Sequence, residues 1–138
     1  MPHDAPSAQQ LIESVREWLE RDVLGATSGG VQFHTRVAIN VLAMVERELV
    51  LGPTQALAHR ERLQALGYTS DEELAAAIRS DGVGDHGAQA KAVRDAVWES
   101  VRDKLAVANP KYLDGYTATH PVADQPAVER GAPPDDRA

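Results

Sequence analysis

FHTRVAINVLAMVEREL, residues 33–49, decides how the rest of the chain is read. Phe33, Val37, Val41, Val45 and Leu49 recur every four residues, the spacing of one α-helical face, and that face is expected to fill a core. Arg36 and Asn40, also four apart, share an adjoining face that Met44 and Arg47 continue. Three readings fit an amide and two guanidiniums in so apolar a helix. The polar groups are solvated, with Asn40 bonding a loop carbonyl. Alternatively Asn40 is buried and fixes a neighbouring loop, ATSGG or ANPKYL, since a buried amide without partners is costly. In the third, Arg36, Asn40 and Arg47 form an interface stripe, because arginine among apolar groups is typical of binding hot spots.

Outward from this stretch, helix signals recur. Ser7 with Gln10 forms a capping box, and Leu11, Ile12, Val15, Trp18, Leu19 and Val23 follow at helical spacing up to Gly25. GATSGGVQ is a loop, because its glycines and small polar residues do not hold a helix. Gly52 ends the second helix, and Pro53 suits the first turn of a third that carries Leu57, Leu63 and Leu66 and stops at Gly67. Ser70 and Glu73 form a second capping box, with Asp71 and Glu72 favourable at a helix N-terminus. This fourth helix, with Leu74, Ala77 and Ile78, is short. A fifth runs from about residue 88 to 108, with Ala90, Val93, Val97, Val101 and Leu105 as its core stripe, and Asn109-Pro110 ends it. Strand signals are nearly absent. The expectation is an all-α, compact bundle of about five helices over residues 1–113. Beyond Leu113 the composition turns to Pro, Asp, Thr and Ala, so residues 114–138 are expected to form a mobile, disordered tail.

Composition narrows the function classes. The chain has 138 residues, no cysteine and a net charge of -7. A thiolate metal site and a disulfide scaffold are excluded, and a reducing cytoplasm is the expected setting. An acidic chain offers no phosphate-neutralising patch, which argues against nucleic acid. MPHDAPSAQQ does not read as a secretory signal, and no apolar run approaches membrane-spanning length.

Motifs for chemistry are equally sparse. GVGDHG, residues 82–87, matches G-x-G-x-x-G, but a helix precedes it, and the fingerprint works only where a strand turns into a helix. GATSGG lacks the Gly-Lys-Ser/Thr of a phosphate loop. His3, His34, His59, His86 and His120 show no i,i+4 pairing and no H-E-x-x-H, so neither a metal nor a cofactor is expected. No G-x-S-x-G elbow is present, and Asp85-His86 lacks an adjacent nucleophile. A self-sufficient active site is therefore not expected.

FHTRVAINVLAMVERELVLGP together with KLAVANPKYL resembles a family of small bacterial proteins defined by a domain of unknown function. HDAPSAQQLIESVREWLERDV matches its opening helix, so the likeness extends over residues 3–113. The resemblance implies gene neighbours that are aminoglycoside-phosphotransferase-like kinases and acyl-CoA dehydrogenases. It also implies a relative that serves as the small accessory subunit of the levulinate-pathway kinase, whose large subunit phosphorylates 4-hydroxyacyl-CoA. On this basis the chain is expected to be a non-catalytic accessory subunit of such a kinase, with acyl-CoA dehydrogenase as a further partner. Arg36, Asn40, Arg47, Asn109 and Tyr112, which lie in the signature segments, are the partner-binding candidates. A stand-alone acyl or acyl-CoA binder, lined by Trp18, Trp98 and Phe33, is the second reading, and a homodimeric helical scaffold the third.

Overall fold

Local chemistry sets most helix ends. The computed structural model describes residues 4–119, among which there are helices and connections but no strand. Helix α1, Ala8–Trp18, begins at Ser7, whose hydroxyl accepts from the Gln10 amide at 3.3 Å while Gln10 Oε1 accepts from the Ser7 amide at 2.8 Å. Leu19–Val23 continues it as a π-helical turn, and Thr27 Oγ1 donates to the Val23 carbonyl at 2.8 Å. Helix α2, Gly29–Leu66, has 38 residues and is about 57 Å long at 1.5 Å per residue.

Gly52-Pro53 does not break it, contrary to the sequence expectation of two helices. Part of proline's clash is with the Cβ of the residue before it, which glycine lacks, while the clash of its ring with the carbonyl four residues back remains. Proline still removes one helical hydrogen bond, a cost that packing at the two ends of α2 must offset. Helix α2 ends where expected. Gly67 takes φ 87°, its amide donates to Gln64 O at 3.0 Å and that of Tyr68 to Leu63 O at 2.9 Å. These two bonds make a Schellman motif.

Helix α3, Asp71–Asp81, starts at Ser70, which accepts from the Glu73 amide, while the Glu73 carboxylate reaches the Thr69 amide at 2.8 Å. The Thr69 bonds hold that carboxyl below its ordinary value. Helix α4, Ala90–Ala108, stops at Asn109, whose backbone leaves helical geometry (φ -153°, ψ 72°) ahead of Pro110. Helix α5, Pro110–Thr119, continues six residues past the boundary suggested by composition at Leu113. Its signal is present in the sequence: Asn109 Oδ1 accepts from the Tyr112 amide at 3.3 Å, and proline occupies the first helical position. Residues 120–138 of the expected tail lie outside the described residues.

The elements pack on α2. Helix α1 runs antiparallel along its N-terminal half, joined by Arg16 Nε to Glu46 Oε2 at 2.8 Å. Helix α4 runs antiparallel along its C-terminal half, since Arg47 meets Val107, Gln55 meets Asp103 and His59 meets Ser100. The core sits at that second end. Leu63, Leu74 and Val93 are buried, Val93 to 1% exposure, with Leu66, Tyr68, Ile78 and Val83 packed around them. Helix α1 contains no buried residue.

The all-α expectation is met, but the expected core on α2 is not where it was placed. Phe33 is 60% exposed, and Val37, Val41 and Leu49 are also exposed. Their periodicity does mark an apolar face. No element among the described residues covers it, because α1 lies on another side of α2 and α4 stops beside Arg47. Val97 and Val101 of α4 are likewise exposed, leaving Ala90 and Val93 as the buried part of that stripe.

Candidate functional site

The residues singled out by sequence divide into two groups. Phe33, Arg36, Val37, Asn40 and Met44 form an exposed strip on the N-terminal half of α2, one helical face by their spacing. The strip is the uncovered continuation of the face that α4 covers farther along. Neither the Arg36 nor the Asn40 side chain has an ion pair or hydrogen bond among the described residues. Asn40 is therefore not a buried loop fastener. Gln32 holds ATSGG instead, its amide donating to Leu24 O at 3.1 Å and Thr27 O at 2.9 Å.

Arg47 reaches the end of α4, and Asn109 and Tyr112 follow in the α4–α5 connection and the first turn of α5. Arg47 Nε donates to the Val107 carbonyl at 2.6 Å. A cation on the last carbonyls of a helix is favourable, so Arg47 fastens the α4 terminus to α2. Asn109, two residues on, caps α5. These two make structural bonds within the chain, whereas Tyr112, in the first turn of α5, stands 60% exposed. The strip thus combines three exposed apolar side chains, a cation and an amide, the last two without a partner among the described residues. Desolvated arginine and aromatic groups of this kind carry most of the energy at protein interfaces.

A second constellation escaped the sequence reading. His59 Nδ1 lies 3.1 Å from Ser100 Oγ, and His59 Nε2 lies 2.9 Å from Asp71 Oδ1. The order serine, histidine, aspartate matches that of a hydrolytic triad. Its surroundings do not complete one. Ser100 sits inside α4 with its hydroxyl on Ala96 O at 3.0 Å, and the neighbouring amides are spent within the helix. No pair of free amides is left there to stabilise an oxyanion. The cluster instead ties α2, α3 and α4 together, supported by Arg62 Nη2 to Asp103 Oδ2 at 2.6 Å. His59 is separated by 12 residues from Asp71 and by 41 from Ser100, so only the fold unites them.

This cluster lies in an open cleft of about 600 Å³ between α2 and α4, which Gln55, Ala56, Lys104 and Val107 also line. Arg62 and Lys104 are matched there by Asp71, Asp103 and Glu48, so the cleft does not select one sign of charge. Trp18 and Phe33 do not wall it; each leaves half or more of its surface exposed, on a different helix. GVGDHG is a loop fastened locally. Gly82 takes φ 59° at the end of α3 with the His86 ring against it, and Arg94 Nη1 donates to Gly84 O at 2.7 Å.

Among the described residues, no group of three or more histidine and carboxylate side chains is placed to hold a metal ion, and no helix is long and apolar enough to cross a membrane. Comparison with curated proteins and with solved structures finds no match. A family model, described as Domain of unknown function (DUF6285), matches residues 25–112. That segment contains α2, α3 and α4, the buried core and all five interface candidates. The chain belongs to the DUF6285 family.

Proposed function

We propose that this chain is a non-catalytic accessory subunit that binds and supports a phosphotransferase-like kinase acting on hydroxyacyl-CoA or related acyl substrates. The observation that carries the binding role is the exposed strip of Phe33, Val37 and Met44 laced with Arg36 and Asn40. Apolar groups at this density on a free surface favour association, and the polar groups among them supply register and specificity. The kinase as partner comes from the family resemblance of the signature segments. In such a complex the large subunit provides the phosphate loop, magnesium ligands and catalytic base. This chain provides the α2 strip and Tyr112 as docking surface. Acyl-CoA dehydrogenase is the further partner in the same reading.

The test is co-purification with the neighbouring kinase, together with kinase turnover with and without this chain. The proposal expects a stable complex and higher turnover. Phe33→Glu should lower affinity by about 100-fold with helicity intact, and Asn40→Leu should weaken binding with little effect on folding. Unchanged turnover without co-purification would sink the proposal. Titration of the lone protein with acyl-CoAs separates the second reading, since an accessory subunit without its own ligand gives no heat.

A further inference from the structure

We infer that the α1–α2 hairpin carries a second interface, separate from the Arg36–Asn40 strip, through which two copies of this chain form a four-helix bundle. The inference starts from α1. Ile12, Leu19 and Val23 are half-buried toward α2, yet Leu11, Val15 and Trp18, spaced i, i+4, i+7, lie about half exposed along its edge. Two apolar stripes on one helix call for two neighbours, and α2 supplies one.

The orientation of the exposed stripe follows from the opposite edge of α1. Gln9 and Glu13 border a groove with Glu46, Arg47 and Val50 on one side of α2. Leu11, Val15 and Trp18 therefore flank the other side. There α2 presents Ala38, Leu42, Val45 and Leu49, again at i, i+4, i+7, i+11. The first three are half-buried and Leu49 is exposed. The hairpin thus has a polar side and an apolar side, and the apolar side bears no charge between Val31 and Ala56 on its α2 row. Gly52 leaves a notch at its edge, framed by Val45, Glu48, Leu49 and Pro53, that a large side chain of a facing helix can enter.

Area and composition point to what covers this side. Helix α1 with its π turn is about 24 Å long, and two packed helices are about 20 Å wide, so the face is on the order of 500 Å² before corrugation. That is at the upper end of what soluble monomers expose and approaches the roughly 800 Å² per partner of a stable dimer. The chain's own residues 120–138 contribute Val122 and Val128 as their large apolar side chains, too few to cover a face of this extent. A second copy brings the same predominantly apolar face, with Asp22 beside its Arg21 partner at the end of the α1 stripe and Glu48 at the notch. Permanent homodimer interfaces are the more apolar class, and hairpin on hairpin is the closed, two-fold way to bury it.

The experiment is sedimentation of the full chain at micromolar concentration, with helicity read in parallel. The inference expects twice the 14.9 kDa chain mass. Leu49→Glu should raise the dissociation constant by about 100-fold and give monomer, while Phe33→Glu, on the kinase-facing strip, should leave the dimer intact. If Leu49→Glu loses its helices, the milder Val15→Ser carries the test, with an expected weakening of about tenfold. A monomeric wild-type chain, a dimer indifferent to both hairpin substitutions, or a dimer split by Phe33→Glu alone would each overturn the inference. Because kinase binding is read by co-purification on a different face, either claim can fail while the other stands.

Discussion

The two halves of α2 are built from similar residues and end in opposite situations. Around Leu63 the helix is enclosed by α3, α4 and the Val83 loop, and the chain completes its own core there. Around Val41 the helix meets α1 on one side, and its other apolar sides face solvent. Similar periodicity thus supports a core in one place and an association surface in the other. What differs is the number of elements, among the described residues, that pack on each half.

Substitution should expose this asymmetry. Leu63→Ala removes a buried side chain from the enclosed half and should cost about 2–5 kcal/mol, read by denaturant unfolding. Phe33→Ala removes a larger side chain from the open half and should change stability of the lone protein by about 0.5 kcal/mol or less. Equal losses at the two positions would contradict the contrast. At the α1 seam, Arg16→Ala leaves the mostly enclosed Glu46 carboxylate unpaired and should cost about 1–3 kcal/mol. Glu46 raises the Arg16 pKa mainly through their hydrogen bond, so the guanidinium stays ionised across the working pH range. Smaller than the Arg16 effect, Gly67→Ala forces a Cβ into left-handed backbone at the end of α2 and should cost about 1–2 kcal/mol, measured by thermal melting.

The smallest effect concerns the α3 cap. Bonding from Thr69 lowers the Glu73 pKa below its ordinary 4.5, so the unfolded chain takes up this proton first on acidification. The cap's contribution is then fully present above about pH 4.5 and is lost as pH falls through the lower, folded value. Glu73→Gln should flatten that part of the stability–pH curve; a slope that persists would assign it to other carboxylates.

How much of this was legible depended on the range of the forces. The Ser7 and Ser70 caps and the Gly67 stop were legible because each is settled within five residues of chain. Gly52-Pro53 does not end the helix because packing along α2 on both sides offsets proline's local cost, which a local rule does not see. The covered and uncovered faces of α2 were not separable, since periodicity shows that a face is apolar and not whether another element arrives. Arg47 was legible as a special position but not as the fastener of α4, whose terminus lies 60 residues away in sequence. Sequence separation likewise hid the His59–Ser100–Asp71 cluster.

If another chain completes the α1 half of the molecule, hydrogen exchange resolved along the sequence will show it. With no buried residue of its own, α1 in a lone monomer should exchange almost as fast as a frayed helix. Slow exchange is expected for residues 8–23 at micromolar concentration, lost on dilution and in Leu49→Glu, with residues 60–66 and 90–97 unchanged. Protection of α1 that is independent of concentration and of Leu49 would contradict it.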